Sequence, residues 1–134
     1  MRVFRAAGIT VAAVALIAIA GSPASAGTSV TSYGQSSVDS CTSGSVGRFD
    51  DVGEHFYLTD TCADYMSAVL KVDVAPFQSY GGYDFTIWNS GKAGSTKDEN
   101  RSYAEGTGVC IQAGGGDSLS REWGWWGYWT CGTA

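Results

Sequence analysis

Four cysteines, Cys41, Cys62, Cys110 and Cys131, constrain this chain more than any other feature, because two cross-links in so short a polypeptide leave few ways to fold it. Four cysteines allow three pairings, and sequence alone does not choose among them. Their spacing favours Cys41 with Cys62 and Cys110 with Cys131. Each of these pairs encloses twenty residues that hold a glycine-rich turn and then an aromatic run returning to the second cysteine. On the chain-entropy model, closing a loop of this size contributes about 3 kcal/mol, which matters in a small domain. Zinc is the competing use of four thiols, but the chain has no Cys-x-x-Cys pair.

Disulfides require an oxidising compartment, and the N-terminus supplies a route to one. Arg2 and Arg5 form a short basic region, Gly8 to Ala20 is apolar, and Ala24-Ser25-Ala26 has the form of a signal-peptidase site. The alternative, a retained membrane anchor, needs about 20 apolar residues, more than this run has before Gly21, Ser22 and Pro23. The expected mature chain, from Gly27, has 108 residues, enough for one domain with a modest core. Of eight basic residues, Arg2 and Arg5 leave with the signal, so six remain against thirteen acids, a net charge of −7. Such a surface argues against nucleic acid or an anionic membrane as partner, since both demand a cationic face.

Along the mature chain, residues 27–40, rich in Ser, Thr and Gly, are expected to form a flexible arm carrying Tyr33. The disulfide-bonded domain then spans 41–134. His55 to Thr59 is strand-like. From Tyr65 to Val74, Met66, Ala68, Leu70, Val72 and Val74 alternate with Tyr65, Ser67, Val69, Lys71 and Asp73, which predicts a strand with one apolar face. A second alternation places Tyr83, Phe85 and Ile87 on one face and Asp84, Thr86 and Trp88 on the other. Ser95 to Asn100 suits an exposed connection, Arg101 to Tyr103 and Gly108 to Gln112 suit short strands, and Gly114-Gly115-Gly116-Asp117 suits a turn. Short strands between glycine-rich turns, without a strong helical period, predict an all-β fold: a small antiparallel β-sandwich or barrel.

Groups for catalysis are sparse. His55 is the one histidine, and no serine sits in a Gly-x-Ser-x-Gly elbow. Asp50, Asp51, Glu54 and Asp60, with Asp117 and Glu122, could pair across loops to flank a glycosidic bond. Solvated loop acids are the simpler reading, and the ligand alternation of a calcium loop is missing. No catalytic residue, metal site or cofactor is therefore expected. Asn100-Arg101-Ser102 has the form of a glycosylation acceptor.

Arg121 to Cys131, Arg-Glu-Trp-Gly-Trp-Trp-Gly-Tyr-Trp-Thr-Cys, holds four of the five tryptophans. As one regular strand it would put Trp123, Trp125, Trp129 and Cys131 on one face and Glu122, Trp126, Tyr128 and Thr130 on the other. If the disulfide marks the core, Trp126 and Tyr128 stand outward, where amphipathic rings can anchor a protein partner or stack on a sugar. Trp88 extends that surface by parity. Gly124 and Gly127 could seat bulges that shift this register, and burial of both faces is the competing reading.

The order Cys41, Tyr57-Leu58-Thr59, Cys62, Met66-Ser67-Ala68, Ser102-Tyr103-Ala104 and Gly108-Val109-Cys110 resembles small exported actinobacterial proteins of the spore-associated type. By size, export and disulfides the chain is also similar, as a class, to the adaptor subunits of secreted umbrella-type toxin particles. The sequence leads to a secreted, non-enzymatic binding module, a monomer or a subunit of a hetero-complex. It would act as inhibitor, toxin component or adaptor, with Trp126, Tyr128, Trp88 and Tyr33 as binding residues. The arm could add to a partner's sheet. A glycan or cell-wall ligand is the alternative, and a small secreted hydrolase ranks third.

Overall fold

The computed structural model describes residues 26–134; the signal expected over residues 1–26 lies outside that span except for Ala26. Nine strands follow in order: β1 (Val30–Gly34), β2 (Ser45–Asp50), β3 (His55–Asp60), β4 (Ser67–Val74), β5 (Phe85–Asn89), β6 (Thr96–Asn100), β7 (Gly108–Gly116), β8 (Trp123–Gly124) and β9 (Thr130–Thr133). The described residues contain no helix. The first sheet runs β1-β2-β3-β6. The second runs β5-β4-β7, with β8 and β9 both pairing to the far side of β7. Every ladder is antiparallel.

The two sheets face each other because their alternation matches. Phe49, Phe56 and Leu58 point inward from the first sheet, and Ala68, Leu70, Val72, Ile87, Ile111 and Ala113 from the second. Phe56 sits at the centre, tilted against Phe49 at 5.1 Å and edge-on to Phe85 at 6.0 Å and Tyr103 at 6.4 Å. Such aromatic pairs add to the stabilisation from buried area. Gly47 leaves the space that the Leu70 side chain fills, so the sheets interlock across the middle. The β4 alternation thus corresponds to the sequence pattern, although the strand begins at Ser67, one residue after Met66.

Both disulfides have the pairing favoured by spacing, Cys41–Cys62 and Cys110–Cys131. Their placement differs from expectation. Cys110 and Cys131 are directly opposed on β7 and β9, and Cys131 is exposed. Cys110 pairs with Asp73 on β4, so by parity it lies on the outer face of the second sheet, opposite to Ile111. The bridge joins neighbouring strands on that outer face and does not cross the core.

Five local expectations are corrected. Residues 27–40 are not a loose arm, since β1 pairs with β2 over its whole length and Thr28 exchanges backbone hydrogen bonds with Thr133. Ser95 to Asn100 holds β6, whose polar side chains suit an exposed sheet edge, while Arg101 to Tyr103 is not a strand. Gly114, Gly115 and Gly116 continue β7 and do not form a turn, with atoms of Trp126 and of the β8 segment occupying the places where side chains at Gly114 and Gly116 would stand. Trp125 to Trp129 is not strand, and Trp125 has a φ of 52°, so parity from Cys131 does not propagate through it.

Candidate functional site

The outer face of the second sheet carries most of the tryptophan. Period-two geometry turns Val69, Lys71 and Asp73 of β4 away from the core, beside Trp88 and Thr86 of β5 and Gly114, Gln112 and Cys110 of β7. An outward valine should meet water, yet Val69 is 0% exposed. Its cover comes from the chain after β7. Asp117 begins a turn in which its carboxylate accepts backbone N–H groups from Leu119 at 2.8 Å and Ser120 at 3.4 Å. These bonds hold its pKa below the usual carboxylate value. The chain then returns through β8 and lays Trp123 and Trp126 over the sheet.

Trp123 stacks on Trp88 with ring centroids 5.8 Å apart and meets Trp126 at 5.9 Å and Tyr83 at 6.0 Å, both edge-on. A side chain at Gly114 would run into the Trp126 ring, its first carbon only 2.7 Å from Cζ3. The Lys71 ammonium lies 3.9 Å from the Trp126 centroid, 5.3 Å from Tyr83 and 5.9 Å from Trp123. Burial lowers the Lys71 pKa, while the negative ring faces around it favour the charged form. The Arg121 guanidinium sits 4.8 Å over the Trp88 ring, and Lys97 from β6 donates to the Trp88 carbonyl at 3.2 Å. Two of the six basic residues between 27 and 134, Lys71 and Arg121, therefore lie against the rings of one aromatic face of an acidic chain, and Lys97 reaches its β5 edge from the other sheet.

Beyond Trp126 the chain crosses from the second sheet to the first. Gly127 donates to the Ala113 carbonyl and accepts from Gln112 Nε2, both at 2.9 Å. On the other side Gln35 N–H donates to the Trp125 carbonyl at 2.7 Å, and the buried Ser32 hydroxyl donates to the Tyr128 carbonyl at 2.8 Å. Gly127 lies so close to the Tyr33 carbonyl that any side chain would collide with it. This double attachment fixes the backbone and directs side chains out: Tyr128 is 89% exposed, Tyr33 63%, and Trp125 and Trp123 39% each. Among the described residues neither Tyr128 nor Tyr33 stacks on another ring, while Trp125 lies over Gly115 of β7, its Cε3 4.0 Å from where a Gly115 side chain would begin.

The sequence-derived residues thus separate into two groups. Trp88 and Trp126 join one cluster, and Tyr128 and Tyr33 lie on adjoining segments at its border. The division of the tryptophans is revised: Trp126 is the half-buried support, whereas Trp123 and Trp125, assigned to the core, are exposed. Tyr83 belongs with the tryptophans and Lys71, not with Phe85 and Ile87. Lys71 and Arg121 were missed. The signals available for them were a lysine inside the longest alternating run and three glycines on the partner strand, which together leave room for rings above the sheet.

His55 lies on the outer face of the first sheet, stacked on Tyr57 at 5.6 Å. Its Nδ1 meets the Asp98 carboxylate at 2.7 Å and its Nε2 meets the Asn100 amide nitrogen at 2.9 Å, so both ring nitrogens are engaged. The same Asn100 nitrogen donates to the Gly53 carbonyl at 2.8 Å, which occupies the atom a glycan would join. Among the described residues no three His, Cys, Asp or Glu side chains cluster as a metal site would require. No family model, curated protein or solved structure matches the chain.

Proposed function

We propose that this chain is a secreted, non-enzymatic binding module that docks an extracellular protein on the border of its tryptophan face. Trp125, Tyr128 and Tyr33 serve as anchors, with Lys71 and Arg121 as a cationic flank. Export rests on the N-terminal signal pattern, with which two disulfides agree. The observation that carries the reading is that Trp125 and Tyr128 project from a backbone pinned on both sides. Rigid aromatic anchors lose little entropy on binding, and such residues dominate interface energetics. The flanking cations define the partner's chemistry: a hydrophobic pocket with an acidic rim, whose association slows as salt screens the charges.

A carbohydrate ligand is the second reading, favoured by the exposed ring of Tyr128 beside the part-exposed Trp125, on which a sugar could stack. Quantitative capture from culture medium, in parallel with binding to a polysaccharide panel, separates the two. The protein reading expects one captured protein to be lost both by the Trp125→Ala/Tyr128→Ala pair and by Arg121→Glu, with thermal unfolding unchanged. Capture that is indifferent to all three substitutions overturns it. Retention on a polysaccharide that the aromatic pair abolishes and Arg121→Glu leaves intact selects the carbohydrate reading instead.

A further inference from the structure

Next to the aromatic face, a cleft of about 420 Å³ opens between the segment 60–67 and the turn 90–93 that follows β5. Asp60, the last residue of β3, lines it. Parity within β3 turns this side chain inward with Phe56 and Leu58, and it is only 2% exposed. Its Oδ1 accepts the Cys62 N–H at 3.2 Å, and among the described residues Oδ2 accepts nothing. Since no described side-chain oxygen shut off from solvent lacks a partner, Oδ2 keeps access to solvent, and Asp60 lines the cleft. Asp64, also buried, spends its two oxygens on the backbone N–H groups of Ser37 and Met66 and adds its charge to the site. Desolvation, then the Asp64 charge, raise the Asp60 pKa, with the Cys62 hydrogen bond opposing them. A buried carboxylate without a cation is costly to maintain. The one basic side chain on the cleft, Lys92, is exposed at its rim and makes no ion pair among the described residues.

We infer that this cleft is a cation site in which Asp60 receives a primary ammonium or guanidinium group carried on an aliphatic stem. The Oδ2 oxygen supplies a charge-assisted acceptor. Met66, Ala63 and Ala93 supply apolar wall for the methylenes, and Tyr65, fully exposed with a φ of 61°, stands at the mouth. A lysine or arginine side chain of a partner and a free alkylamine share this chemistry. The inference is independent of the aromatic face, which lies on other residues.

The test is a titration of the oxidised mature chain with n-butylammonium, followed by the Asp60 carboxyl carbon and Met66 amide resonances. A capped lysine peptide and tetramethylammonium serve as parallel probes. Saturable shifts are expected with butylammonium, with affinity falling about tenfold or more in Asp60→Asn. That variant can still accept the Cys62 N–H and should unfold at the same temperature or higher. Tetramethylammonium, which has no N–H to donate, should bind more weakly, and Lys92→Gln should bind butylammonium more tightly because a like charge is gone. Tighter binding of the peptide than of butylammonium assigns the source to a protein partner, and equal binding to a small amine. Shifts that are absent in wild type, unaltered by Asp60→Asn, or elicited by calcium but not by amines overturn the inference. Binding that emerges only in Lys92→Gln also overturns it, since Lys92 would then be the counter-ion.

Discussion

The residue that holds the tryptophan face together is Trp126, which spans Gly114 below it, Trp123 beside it and the Lys71 ammonium. Removing its ring in Trp126→Ala should uncover Val69 and cost about 3 kcal/mol in denaturant unfolding. Tyr128→Ala should stay within about 0.5 kcal/mol because the ring touches water on most sides. Gly114→Ala pushes a carbon against the same indole and should cost about 1–3 kcal/mol, accompanied by a shift in tryptophan emission. Asp60 carries a pH signature. Its folded pKa is raised, so the folded state holds this proton more tightly than the unfolded one. Its contribution is present below the unfolded value of 3.8 and lost as pH rises through the folded value. Asp60→Asn should therefore gain more stability at neutral pH than at pH 3, checked by unfolding curves at both.

At the scale of elements, the sequence revealed strands where one residue in two is apolar and hid them where neighbours supply the packing. β4 was legible because Ala68, Leu70 and Val72 needed only their own alternation to define a buried face. β1 was not, because Val30, Ser32 and Gly34 face inward with little apolar signal, and the strand is held by pairing with β2 and by Gln35 and Thr28 contacts to the C-terminal chain. The glycine end of β7 was hidden for the same reason, since its side-chain volume is supplied by Trp126 and by atoms of β8. Trp88 and the disulfide pairing could be read in advance. The exposure of Trp123 and Trp125 could not, because it depends on a positive φ at Trp125 and on long-range bonds from Gln35 and Ser32. If β1 is integral, its amides should exchange slowly with solvent, and a chain beginning at Gln35 should lose cooperative unfolding. Rapid exchange across 30–34 with an unaltered transition in the shortened chain would return the segment to a loose arm.

For the molecule as a whole, two sheets enclose one aromatic-centred core, one disulfide joins β7 to β9, and the other ties the Cys41 loop to the chain after β3. Each cross-link closes 21 residues, for which loop entropy gives about 3 kcal/mol. Replacing Cys41 and Cys62 together by serine should lower stability by about that amount, and non-reducing peptide mapping of the remaining pair should return Cys110 with Cys131 alone. The working surfaces proposed lie outside this frame, with aromatic anchors and the cations Lys71 and Arg121 on the tryptophan face and a carboxylate cleft beside it. The most direct measurement of the first is the dissociation constant of the captured extracellular protein for the mature chain and for its Trp125→Ala/Tyr128→Ala variant, taken with both thermal transitions. A loss of about 100-fold or more, with the two transitions coincident, is the expected result. An unchanged constant, or a loss that follows only from a collapsed transition, would contradict the assignment of these rings as anchors.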